Sequence, residues 1–246
     1  MAVNTPKELR NQTMYQIFVR NFSEEGTFRK VRERLDEIKE LGTDIIWLMP
    51  IHPIGKIKRK GSLGSPYAIS DYRAVNPEFG TPEDFKALVE DIHAHDMKCI
   101  IDVVYNHTSP DSVLCKEHPE WFYHKEDGSF GNRVGDWTDI IDLDYSHKEL
   151  WDYQIETLKR WAEIVDGFRC DVAPLIPLEF WIAARKAVEE VRAWEKANNR
   201  HIEIESSGGI TIDTIRDYAL AGVDFVSVGA LTHSVKSLDM SFKAVK

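Results

Sequence analysis

An alternation runs along almost the whole chain and constrains the fold more than any other feature. Short, nearly unbroken apolar runs give way to longer segments with apolar residues at helical spacing. The runs are "MYQIFVRNF" (14–22), "DIIWLMPI" (44–51), "KCIIDVVYNH" (98–107), "DGFRCDVA" (166–173), "HIEIESS" (201–207) and "DFVSVGAL" (224–231). Strands this continuously apolar are buried on both faces, the pattern of a parallel sheet covered by helices. Segments 28–42, 81–96, 148–165, 177–198 and 211–222 predict those helices. In the first, Val31, Leu35, Ile38 and Leu41 keep helical spacing and Gly42 stops it. In the second, Thr81 is placed to cap and Pro82 to open the helix.

The expected fold class is α/β, a TIM-barrel-like parallel βα repeat. The 246 residues suit one such domain, since about 250 is typical. Six strands fall two short of closure, so the sheet is expected to close tightly, stay open, or be completed by a second copy as a homodimer. Two long excursions, 52–80 and 107–147, leave the C-terminal ends of strands, the barrel face that carries chemistry.

A net charge of −10 argues against nucleic acid as a partner. The N-terminus has no apolar signal core and no run has the length of a membrane span, so a cytoplasmic protein without a membrane partner is expected. The cysteines Cys99, Cys115 and Cys170 are odd in number, which fits a reducing compartment, and have no metal-ligand spacing; Cys99 and Cys170 lie inside apolar runs and are expected to be buried thiols.

Two strand ends carry polar residues at a period of two. In "DVVYNH", Asp102, Val104 and Asn106 fall on one strand face, followed by His107; in "GFRCDVA", Arg169 and Asp171 share a face. An arginine beside an aspartate favours the ionised carboxylate that a nucleophile needs. A structural salt bridge inside the sheet is the other reading of the same pair. "GSPYAISDYRAVNPEFGTPEDF", "CIIDVVYNHTSPDS" and "VDGFRCDVA" occur in order, and from about Met14 to about Val191 the chain resembles the α-amylase family of glycoside hydrolases. The resemblance implies that Asp171 is the catalytic nucleophile and Arg169 its partner, and that Tyr67 and His107 line the sugar subsite, Tyr67 by stacking. It also implies a calcium-holding role for Asn106. "VAPLIP" after Asp171 lacks the Lys-His pair that many members carry, which weakens the calcium expectation, so no cofactor is expected.

The run "IEIESSGGI" (202–210) can be read in two ways. Glu205 has the chain position of the general acid that a retaining glycosidase sets opposite its nucleophile. Ser207, Gly208 and Gly209 equally form a turn whose backbone N–H groups approach an anion, and Gly229 with Ala230 repeats the device one strand later. A plain tight turn between strand and helix also satisfies the glycines. "SGGI…GVDFVSVGALTHS" resembles the C-terminal end of quinolinate phosphoribosyltransferase, from about Trp194 to Lys246. That resemblance implies that Ser207, Gly208, Gly209 and Gly229 bind a phosphate. His233 and Ser234 follow; they suit a helix start or an anion contact better than catalysis. The region has no aspartate preceded by a histidine, so the third carboxylate of the amylase set has no candidate there.

The expected organisation is residues 1–193 as an amylase-like barrel fragment and 194–246 as a phosphoribosyltransferase-like one, together one domain. The expected function is that of a recombined, chimeric barrel, engineered or selected for folding, without efficient catalysis. The alternatives are a weak α-glucan hydrolase using Asp171 and Glu205 on an oligosaccharide, and a phosphate or phosphoribosyl binder.

Overall fold

The computed structural model describes residues 11–184, 186–187, and the backbone of 203–207 and 225–227. Its main sheet contains β1 (Met14–Ile17), β2 (Ile45–Leu48), β3 (Lys98–Val103), β6 (Gly167–Cys170), β7 (Glu203–Ser207) and β8 (Phe225–Ser227). These six strands pair in the order β1-β2-β3-β6-β7-β8, and every pair is parallel. Each predicted run therefore supplies one strand of one sheet. Among the described residues no ladder joins β1 to β8, so no closed barrel is formed by them. A second, antiparallel pair, β4 (His107–Thr108) with β5 (Ile141–Asp142), closes the base of the 107–147 excursion. At two residues each, these strands are too short to show a period in the sequence.

Helices lie between the strands. They are α1 (Val19–Phe22), α2 (Phe28–Arg32), α3 (Leu35–Glu40), α4 (Pro82–Ala94), α5 (Val113–Glu117) and α6 (Lys148–Ala162). Residues 178–184 are also helical. α4 begins as its sequence predicts: Thr81 Oγ1 accepts from Asp84 N at 3.1 Å, and Asp84 Oδ2 accepts from Thr81 N at 2.9 Å. This reciprocal cap satisfies two N–H groups that a helix start leaves without partners.

Three expectations shift. The run 14–22 is strand only to Ile17, because the chain turns into α1, where Arg20 donates to Gly64 O at 3.0 Å and Leu63 O at 3.1 Å. The helix expected over 28–42 is two, broken at residues 33–34, and Leu41 lies past its end with 68% of its surface exposed. β3 stops at Val103 rather than reaching residue 107. There Tyr72 Oη lies 2.6 Å from Val104 O and 2.7 Å from His107 O. These contacts hold the chain in an exit turn and satisfy carbonyls that a longer ladder would have used.

The core packs Phe28, Val31, Leu35 and Ile38 of α2 and α3 with Phe85, Leu88, Val89 and Ile92 of α4. Each such side chain contributes roughly 1.5–3 kcal/mol of burial free energy. Cys99 and Cys170 are buried, as expected, and so is Cys115; none of the three forms a disulfide. The two long excursions interlock above the sheet. Gly55 N donates to Ala68 O at 2.9 Å and Lys56 N to Asp111 Oδ2 at 2.8 Å. A Cβ at Gly55 would lie 2.1 Å from Ser109 Cβ, so only glycine permits this approach. No described helix is long and apolar enough to cross a membrane.

Candidate active site

The centre of the site is set by strand register. Asp102 of β3 pairs with Arg169 of β6, and Arg169 pairs with Glu205 of β7, placing three ionisable residues in one row of the sheet. Arg169 Nη1 donates to Asp102 Oδ1 at 2.8 Å and to Asp171 Oδ1 at 2.7 Å. The Tyr67 hydroxyl donates to Asp102 Oδ2 at 3.2 Å. The Arg169 guanidinium also lies over the Trp47 ring, 5.0 Å from its centre. One guanidinium thus bridges two carboxylates that differ in exposure. The Asp102 side chain is 0% exposed and makes a structural bridge, whereas 14% of the Asp171 side chain reaches the surface.

Burial decides the charge balance. It pushes the Asp102 carboxyl up to about 7 against the pull of Arg169, and repulsion from Asp171 adds to the rise. Burial raises Asp171 as well, again opposed by Arg169. Arg169 was expected to hold Asp171 in the ionised form. It does pull in that direction, but desolvation exceeds the pull and the net shift is upward. The guanidinium resists burial of its own charge because two carboxylates face it, and its pKa rises.

Above this floor lies a cleft of about 340 Å³. Tyr67, His107 and Asp171 line it together. Val172, immediately after Asp171, has φ 41° and ψ 37°. A β-branched residue in the left-handed region is strained, and such strain concentrates where a neighbouring side chain must be aimed. Asp171 N donates to Val103 O at 2.9 Å, which ties that turn to the end of β3. Burial pushes His107 down to about 4, with Asp139 opposing, so the imidazole is neutral at pH 7. Asn106 Nδ2 donates to His107 Nδ1 at 3.1 Å, leaving the ring hydrogen on Nε2.

Lys60, Trp137 and Asp139 also line the cleft and were not anticipated. They lie in the two long excursions, whose position at the strand ends was the only sequence signal for them.

Asn106 was expected to share a strand face with Asp102 and to serve a calcium ion. It lies beyond the end of β3, and its Nδ2 donates to Asp142 Oδ1 at 3.3 Å. Asp142 Oδ2 accepts from Arg133 N at 2.7 Å and faces the Arg133 guanidinium at 3.7 Å. N–H donors and a cation already surround the carboxylate that a metal would need, so these residues do not fit calcium. Among the described residues no group of three or more His, Cys, Asp or Glu is placed to hold a metal. Ser207 ends β7, in register with Ser227 of β8. Gly208, Gly209, Gly229, Ala230, His233 and Ser234 lie outside the described residues, as do the predicted helix 211–222 and the rest of 177–198 beyond residue 187.

Comparison with known proteins places these features in context. Residues 10–129 match the family description "Alpha amylase, catalytic domain", and residues 138–243 match "Quinolinate phosphoribosyl transferase, C-terminal domain". The second match starts ahead of the join expected near residue 194 and so includes β6 and Asp171. The chain is 34% identical over 209 residues to the α-1,4-glucan:maltose-1-phosphate maltosyltransferase of Myxococcus xanthus, covering 75% of this chain and 31% of that protein. An α-amylase structure from Lactobacillus plantarum is 54% identical, with a TM-score of 0.77, over 88% of this chain and 50% of that one. A maltogenic α-amylase structure from Thermotoga neapolitana is 40% identical, with a TM-score of 0.75, over 86% of this chain and 48% of that one. The chain thus spans about a third of the curated relative and about half of each solved one. It is similar in its first part to the catalytic domain of the α-amylases, and in its second to the C-terminal domain of the quinolinate phosphoribosyltransferases.

Proposed function

We propose that the cleft over Asp171 binds α-1,4-linked glucosides and cleaves or transfers their glycosidic bond with retention, slowly. One observation carries this reading. Asp171 is held by Arg169 at 2.7 Å while its side chain opens into the cleft lined by Tyr67 and His107. In the proposed reaction Asp171 attacks the anomeric carbon and forms a glycosyl ester. Glu205 protonates the departing oxygen, then takes a proton from the water or sugar hydroxyl that resolves the ester. Support for Glu205 is its register position beside Arg169, because adjacent strands run about 4.8 Å apart. Slow turnover is proposed because burial outweighs the pull of Arg169 and raises the Asp171 carboxyl, which disfavours the ionised nucleophile. The maltosyltransferase and amylase names of the relatives support the substrate class.

The test is release of nitrophenol from an aryl α-maltoside at high protein concentration. Release is expected from the parent chain and is expected to fall by orders of magnitude in Asp171→Asn. No release from the parent, or equal release from the variant, overturns the reading.

A second reading, phosphate binding, is favoured by the match of residues 138–243 and by the pairing of β7 with β8. The two strands end in register at Ser207 and Ser227, with Gly208-Gly209 directly after the first and Gly229-Ala230 one residue beyond the second in sequence. A phosphate-dependent rise in Tm that disappears in Gly208→Val supports it; a rise unchanged in that variant removes it. The two-part makeup itself is a finding. Neither the fold nor the relatives support an engineered or selected origin.

A further inference from the structure

Trp137 lines the cleft, yet the chemistry proposed for Asp171 gives it no task. We infer that Trp137 is a specificity-determining residue: a platform on which a glucose ring of an α-1,4-linked oligosaccharide rests, beside the ring bound over Asp171. This inference rests on the reading of the cleft as a glucoside site, and it adds the wall that reads the neighbouring sugar.

Trp137 is half-buried, and its ring meets His107 at 5.4 Å between centres and 60° between planes. That edge-on contact occupies the His107 side of the indole and leaves surface for a ligand. The indole N–H donates to no described residue and is not a buried orphan, so it is free for a sugar hydroxyl. An apolar ring face with an adjacent free donor suits a sugar, which presents C–H groups on one side and hydroxyls at its rim.

The platform is also held still. Trp137 N donates to Val134 O at 3.1 Å, and Asn132 Nδ2 donates to Trp137 O at 2.7 Å. Lys60, from the opposite excursion, anchors both flanks: its Nζ donates to Asp136 O at 3.3 Å and pairs with Asp139 Oδ1 at 3.1 Å. The Asp139 side chain is 6% exposed, while 49% of the Lys60 side chain reaches solvent, so the buried carboxylate holds a cation at the rim of the cleft. A backbone fixed before the ligand arrives, with the ring set against His107, loses little entropy when the ligand binds. Packing alone explains the contact with His107, but it does not explain anchors on both sides of a ring whose donor is left free.

The test uses the full chain in an Asp171→Asn background, which prevents turnover, with maltotriose as the probe. Binding is followed by calorimetry and by tryptophan emission. Trp137→Ala is expected to weaken maltotriose at least about tenfold, the scale of a buried aromatic contact. Trp137→Phe is expected to bind within about threefold, because a ring face remains, yet to lose most of the ligand-induced emission change. Should the alanine variant fail to fold, the phenylalanine variant decides. Unchanged affinity in Trp137→Ala, or an undiminished emission change in Trp137→Phe, overturns the inference and leaves the glucoside reading intact. No binding of maltotriose to the parent background overturns both.

Discussion

The floor of the cleft is carried by neighbouring strands, and its walls by the two excursions that rise above them. On the floor, Asp102, Arg169 and Glu205 occupy one register row, and Asp171 follows Arg169 by two residues. Hydrogen bonds of the sheet fix those positions, so the charges meet at 2.7 and 2.8 Å with little freedom. On the walls, Tyr67, Lys60, Trp137 and Asp139 come from segments that the sheet does not dictate. Their positions depend on contacts between loops, such as Lys60 with Asp139 and Gly55 against Ser109. Backbone register thus places the carboxylates, and loop packing places what lines the cleft above them. Floor and walls should respond differently when disturbed.

The largest effect is expected at Arg169. Replacing it with methionine leaves two buried carboxylates without their shared cation. Breaking a buried pair in this way costs roughly 3–5 kcal/mol, read by urea unfolding at neutral pH. Asp102→Asn in the same chain should recover part of that loss. If Arg169→Met unfolds at the parent's midpoint, the floor is not the structural centre described here.

The pH dependence sharpens the contrast further. Asp102 has a folded value of about 7 against an ordinary 3.8, so the folded state holds its proton more tightly than the unfolded state. Its contribution to stability is present at low pH and is lost as pH rises from about 4 to 7. His52 and His107, each pushed down to about 4 mainly by burial, act oppositely: stability is lost as pH falls from 6.5 towards 4. In the parent chain these slopes oppose one another. Asp102→Asn removes one, so its unfolding free energy should climb more steeply than the parent's between pH 4 and 7, by an amount on the order of a few kcal/mol. Parallel curves would show that Asp102 does not hold its proton in the folded chain.

A smaller effect is expected at the base of the walls. Gly55→Ala forces a Cβ towards Ser109, and overpacking of this kind costs about 1–3 kcal/mol. The cost should appear mainly as weaker sugar binding, a raised KM for an aryl maltoside, with kcat little changed. A fall in kcat at constant KM would mean that the excursions also set the floor.

The same division explains what could be read before the structure. Asp102, Arg169 and Asp171 stood out because strand periodicity puts alternate residues on one face, and strand order then made them neighbours. Thr81 and Pro82 were legible because capping is local chemistry. Leu41 misled because apolar spacing continued one residue past the helix end. The apolar run 98–107 outlasts its strand because Tyr72, far away in sequence, captures the carbonyls at its exit. Trp137 and Lys60 were missed because loop residues have no period, and their meeting depends on two excursions folding against each other. The direction of the Asp171 shift was missed because the arginine is visible in the sequence while the extent of burial is not.

The central claim is that Asp171, and not the equally close Asp102, is the carboxylate that reaches the sugar. Incubating the chain with a 2-deoxy-2-fluoro-α-maltosyl fluoride and mapping the product by peptide mass spectrometry tests it directly. The account predicts a maltosyl adduct on the peptide containing Asp171, absent in Asp171→Asn and retained in Asp102→Asn. An adduct on Asp102, or on neither residue in a chain that releases nitrophenol, would contradict it.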